Sequence, residues 1–188
     1  MKKLICVVLA LVLTVGLAAC GKQGGGATEG EKMEVPTSAL EILEKIWGAY
    51  GDEEKFFAMG GDYGNPVENA PGNYDLKDEG LVYNLQVPAD QLANIDQAAT
   101  LVHSMMLNNF GCGVYHVTGD AMAFAEAMHT AFSTAQWLCG TPQKQLVAVI
   151  GGQYVLAAFG AEEMIGTLEG KLTQVYPQAA IKYSEAIA

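Results

Sequence analysis

The sequence predicts an α+β domain in which an antiparallel sheet is covered on one face by helices. Three observations carry that prediction. Apolar residues recur at helical spacing in several stretches, and short apolar runs bounded by Gly or Pro read as strands. From residue 113 to the C-terminus the elements follow in the order strand, helix, strand, strand, helix, strand, which is the ferredoxin-like split βαβ arrangement.

The first helix is expected over residues 36–50, where Ser38 and Glu41 form a capping box and Ala39, Leu43, Ile46, Trp47 and Tyr50 share one face. Residues 56–59 read as a short strand. Residues 60–80 are crowded with Gly, Asn, Asp and Pro and read as a long irregular segment, a type often given to contacts. Residues 81–87 alternate as a strand ended by Pro88, and residues 89–107 read as helical, restarting at Asp96 as an N-cap. Residues 114–117 are a strand. Residues 120–138 form a helix with Phe124, Met128, Ala131, Ala135 and Leu138 inward. Two apolar strands, 145–150 and 153–159, flank Gly151-Gly152, a pair suited to a tight hairpin because both can take positive φ. A helix over 161–176 and a strand over 179–183 complete the domain. Gly166 and Gly170 inside that helix each cost about 1 kcal/mol relative to alanine, and a close approach of helix to sheet would account for them.

The amino terminus carries an address. Met1-Lys2-Lys3 precedes an apolar run, Leu4 to Leu17, too short to be a comfortable transmembrane helix. It ends in Leu17-Ala18-Ala19-Cys20-Gly21, where small residues let the scissile segment lie extended in a peptidase groove. That stretch resembles a bacterial lipobox. The resemblance implies transfer of a diacylglyceryl group, bearing palmitate-type acyl chains, to the Cys20 thiol, and cleavage between Ala19 and Cys20, which becomes the new N-terminus. Each buried methylene contributes about 0.8 kcal/mol, so two or more chains anchor durably. Three segments follow: a signal peptide over 1–19, a lipidated N-terminus with a Gly- and Glu-rich flexible linker over 20–35, and one domain over 36–188.

Composition narrows the partners. The chain has no arginine, and loss of Lys2 and Lys3 with the leader leaves eight lysines against 21 carboxylates, a formal charge of −13. Nucleic acid is a poor partner for such a surface, and an anionic membrane would repel it. Acidity reads first as a device for solubility and distance from the headgroups.

The chemistry-bearing residues are sparse. Cys112 and Cys139 are the two side-chain thiols outside the leader and the lipobox, one before a strand and one after the following helix. Rises of about 20 Å up the strand and about 26 Å down the helix return the chain to its starting level. In an exported protein a disulfide is the expectation, worth roughly 3 kcal/mol in the chain-entropy model; reduced thiols in an anaerobic envelope are the alternative. The pair lacks the CxxC spacing that tunes a redox thiol. His103, His116 and His129 sit on separate elements without metal-ligand spacing, so no metal and no cofactor are expected, and Met105 and Met106 read as core filler. GxSxG, SxxK, GxxxxGK and GxGxxG-before-helix patterns are all missing, so no catalytic residue is assigned. Asp62, Tyr63, Asn65, Asn73 and Tyr74 make 60–80 the expected contact loop.

Gly113-Val114-Tyr115-His116-Val117, the amphipathic helix after it, and Val147 to Leu156 around Gly151-Gly152, together with the lipobox, resemble small uncharacterised lipoproteins of Gram-positive bacteria. Some of these are labelled bacteriocin transport accessory proteins. That label implies a thioredoxin-like active site, whose residues this sequence lacks. The expected function is a lipid-anchored extracytoplasmic binding or accessory module, joined to the cell membrane by its lipid and meeting an envelope protein or peptide. The alternative is a thiol-dependent enzyme or redox sensor using Cys112 or Cys139.

Overall fold

A computed structural model describes residues 36–187 except Cys139. These form an α+β fold: an eight-stranded, wholly antiparallel sheet with helices packed on it. Helix α1 is Ala39–Gly48; β1 (Ala58–Gly60), β2 (Val67–Glu68) and β3 (Gly72–Asn73) are short; α2 is the single turn Gly80–Tyr83. The long strands are β4 (Ile95–His103), β5 (Phe110–Val117), β6 (Lys144–Ile150), β7 (Tyr154–Gly160) and β8 (Ala180–Ala186). Helix α3 (Ala121–Thr134) joins β5 to β6, and α4 (Glu162–Val175) joins β7 to β8. The sheet runs β2-β1-β4-β5-β7-β6-β8, with β3 also paired to β4.

Local chemistry sets several elements as expected. Ser38 caps α1 by accepting from the Glu41 amide at 3.1 Å, while the Glu41 carboxylate reaches back to the Thr37 amide at 2.9 Å, one residue beyond the usual capping box. The Asp120 carboxylate caps α3 by accepting from Met122 and Ala123. Gly151 and Gly152 take φ of 60° and 80°, closing the β6–β7 hairpin with a turn that matches strand twist.

Three expectations are corrected. Residues 81–87 form no strand: Asp78 Oδ1 accepts from the Gly80 amide at 2.7 Å and starts α2, so Leu81 and Leu85 are buried at helical spacing while Tyr83 faces out. Residues 89–107 are not a helix. A 3-10 stretch, Ala89–Asn94, gives way to β4, and Asp96 lies on that strand as no cap. Ala98, Ala99 and Leu101 are buried there, with β5 along one side and β1 and β3 along the other, so tertiary pairing overrides the helical preference of alanine. The helix begun at Asp120 stops at Thr134, short of Leu138.

The helices occupy both faces of the sheet. One layer joins α1 and α4 to Phe110, Cys112, Val114, Leu146, Ala148, Leu156 and Ala158. The other joins α3 to Tyr115, Val117, Val147, Val149, Val155, Ala157 and Phe159. The topology explains the difference from a one-face arrangement. β5 is parallel to β6 with β7 between them, and β7 is parallel to β8 with β6 between them. Both crossings step the same way across the sheet, but the strands they link run in opposite directions. Right-handed crossings then put α3 and α4 on opposite faces. In the ferredoxin-like order the last strand would sit beside β5, but β4 already pairs along that edge. Gly166 and Gly170 are also reassigned: an added Cβ at either meets nothing within 4 Å, so neither marks a close approach to the sheet.

Candidate binding groove

The expected contact loop is irregular apart from the two-residue strands β2 and β3, and internal hydrogen bonds hold it together. Asp62 is 7% exposed, and its carboxylate accepts from the amides of Gly64, Asn65 and Asp75 and from Asn65 Nδ2. Burial raises its pKa, but these donors outweigh burial and hold the carboxyl below its usual range. Asp62 is thus the staple of the loop. Tyr74 is buried with its hydroxyl on Asp78 Oδ1 at 3.1 Å, and Asn73 pairs in β3 with Ala99. Asn65 and Asn73 face outward, and Tyr63 is exposed with its hydroxyl accepting from Asn84 Nδ2 at 2.9 Å.

Of the two thiols outside the leader and the lipobox, Cys112 is described. Cys112 is a free cysteine, fully buried at the centre of β5 in the layer with α1 and α4, and burial pushes its thiol far above the ordinary value. Cys139, the other half of the expected bridge, lies outside the described residues, as do Ala19 and Cys20 at the expected cleavage and lipidation site. Each histidine serves a local partner. His116 Nδ1 lies 2.5 Å from Asp96 Oδ1; His129 Nε2 lies 2.8 Å from Glu185 Oε1, its ring stacked on Tyr183 at 3.8 Å. His103 Nδ1 accepts from the amides of Met105 and Met106. Among the described residues no three His, Cys, Asp or Glu side chains converge on a metal-sized site, and no helix is long and apolar enough to cross a membrane.

The structure brings together a groove that sequence reasoning missed. A cavity of about 680 Å³ opens between three segments distant in sequence: α2 with the turn after it, the β4–β5 connection, and residues 136–138 after α3. Tyr83, Met105, Met106 and Leu138 form its rim at 70%, 81%, 58% and 82% exposure, half of the eight exposed large hydrophobics among the described residues. Met105, Met106 and Leu138 are therefore not core residues. Such a concentration is uncommon on a surface that has no partner.

Polar contacts hold the walls. Asn108 Nδ2 donates to the carbonyls of Leu138 and Gly140 at 2.6 and 2.5 Å, tying the β4–β5 connection to the segment after α3. His103 templates the turn that presents both methionines. Gln86 sits at the lip with φ of 58°, a left-handed conformation costing about 1–2 kcal/mol outside glycine. Trp137 packs on Phe159 at 4.6 Å and seats the wall on the core, while its indole N–H is buried without a partner. Among the described residues no charged side chain lines the groove; beside its apolar residues it offers the carboxamides of Asn84, Gln86, Asn108 and Gln136. A smaller hollow of about 290 Å³ lies beside Asp120, Glu126, Lys182 and Tyr183, with Met122 and two alanines in the same lining.

The groove lies at one end of the sheet. The N-terminus of α1 lies at the other, where the Ala39 amide donates to Gln97 Oε1 and Pro36 adjoins the Gly151 turn. From Ile95 to His103, β4 spans the intervening distance of about 27 Å. Compared with known proteins, the chain matches no family model, no curated protein and no solved structure.

Proposed function

We propose that this chain is a lipid-anchored extracytoplasmic binding module that engages an envelope partner through the groove between α2, the β4–β5 connection and residues 136–138. The observation that carries the reading is the rim of Tyr83, Met105, Met106 and Leu138, four exposed apolar side chains around a cavity large enough for a peptide-sized ligand. Export rests on the leader and on Leu17-Ala18-Ala19-Cys20. Pro36 lies beside the Gly151 turn, at the end of the sheet far from the groove, so the start of the described domain does not cover the groove. A thiol-dependent reaction gains no support at Cys112, which is buried and shielded from solvent. Metabolic labelling with a palmitate analogue, followed by membrane fractionation, tests the anchor: the wild type should carry label and sediment with membranes, and Cys20→Ser should do neither. An unlabelled wild-type product would overturn the anchoring half of the proposal. Loss of a crosslinked partner on Tyr83→Ser/Leu138→Ser, with membrane association retained, tests the binding half.

A further inference from the structure

We infer that the groove's occupant is a cationic peptide segment: a short uncharged, apolar stretch seated in the groove, with Lys or Arg on its flanks. This rests on the reading of the groove as a binding surface and names its ligand.

The groove's own chemistry excludes charge at its centre. With no Lys, Asp, Glu or His among the described residues of the lining, a charge carried into it would be stripped of water and meet no counter-charge. The same lining favours a peptide over an acyl chain. Gln136, an exposed lining residue, makes no hydrogen bond to the described residues and is free to offer both its N–H and its carbonyl oxygen. The amide groups of Asn84, Gln86 and Asn108 donate within the protein, leaving their carbonyl oxygens open as acceptors. A peptide backbone supplies both N–H and C=O to such a set, whereas a hydrocarbon chain would leave every one of these groups desolvated and unpaired.

The flanks follow from the surrounding body. Residues 36–188 hold six lysines against 18 carboxylates. Lys45, Lys144 and Lys171 are already ion-paired with Glu41, Glu169 and Glu54. A neutral apolar cleft on a strongly anionic body draws ligands that are apolar in the middle and cationic at the ends, and it repels anionic lipid surfaces.

The test uses the mature chain, from Cys20 onward with Cys20→Ser, and fluorescence anisotropy of labelled synthetic peptides. One peptide has a Leu/Met core between lysine pairs; one twin replaces the lysines with glutamates, and another replaces the core with serines. The lysine-flanked apolar peptide should bind at least ten-fold more tightly than either twin and weaken as salt rises. Tyr83→Ser/Leu138→Ser should cost it at least ten-fold while the thermal midpoint stays unchanged. Equal binding of the glutamate twin overturns the charge rule. Equal binding of the serine-core twin, or of the groove variant, overturns insertion in the groove, and tighter binding to phosphatidylglycerol vesicles than to any peptide assigns the surface to membrane and overturns the inference. Nile red, a neutral apolar probe, separates the two levels. If it binds the wild type but not the groove variant and no peptide binds, the groove reading stands and the cationic-peptide inference fails; if nothing binds, both fail.

Discussion

Replacing Gly166 and Gly170 in α4 by alanine should stabilise the domain, and the size of the effect can be worked from their surroundings. Neither glycine takes positive φ, and a Cβ built at either meets no atom within 4 Å, so alanine introduces neither strain nor clash. Glycine inside a helix is about 0.8–1 kcal/mol worse than alanine, through its greater backbone freedom in the unfolded chain. The two sites are i, i+4 neighbours on the exposed side of α4, where two alanine methyls bring neither clash nor charge, so the double variant should gain about 1.5–2 kcal/mol. For a domain of this size that corresponds to a rise of roughly 4–8 °C in melting temperature. Calorimetry reads the shift, and a denaturant titration with an unchanged slope shows that the folded state, not compactness, accounts for it. The sequence pattern alone, read as close packing of helix on sheet, predicts the opposite sign. A lowered melting temperature would therefore refute the placement of α4's outer face in solvent.

Three further outcomes follow from named contacts. The Thr37 hydroxyl and amide and the Lys45 ammonium hold the Glu41 carboxyl down to about 2, so its contribution is complete above the usual value of 4.5 and is lost as pH falls toward 2. Glu41→Gln should lower stability at neutral pH and flatten the acid limb of a stability–pH profile over that window. Cys112, buried under α1 and α4, should resist iodoacetamide in the native protein and react only on unfolding, as peptide mass mapping will read. Mild hydrogen peroxide should oxidise Met105 and Met106 to sulfoxides well before Met128, which is fully buried; equal rates would contradict their placement at the rim.

Much of the fold was legible because its signals are local. The Gly151-Gly152 hairpin, the Ser38 and Asp120 caps and the periodicity of α4 each depend on residues close in sequence, and each is found where expected, while α3 keeps Phe124 and Met128 inward but ends before Ala135 and Leu138. The two-sided burial was also written in the chain: Leu146 to Ile150 and Tyr154 to Phe159 are unbroken apolar runs, the mark of strands covered on both faces. It was obscured by one misread segment. Ala98-Ala99 favours a helix in isolation, and with β4 unseen β5 had a free edge at which a ferredoxin-like last strand could be placed. The pairing of β4 with β5, over Ile95 to Val102, is a long-range fact with no local trace.

The groove was less legible still. Its residues come from three irregular segments, where apolar side chains carry no period to reveal which way they face. On a helix Met105 and Met106 would be core filler; on a connection between two strands, beside Ser104 and Asn108, the same pair is an exposed apolar rim. The Asn- and Asp-rich segment 60–80 attracted attention by composition, yet Asp62 spends its carboxylate on internal amides and Tyr74 is buried.

In-cell photocrosslinking from single positions tests the groove most directly. A benzophenone side chain at Leu138 or at Tyr83 should give a discrete crosslinked product, while the same group at Asn65, outward on the 60–80 segment, should give none. A product from Asn65 with none from Leu138 and Tyr83 would place the working surface elsewhere and contradict the account.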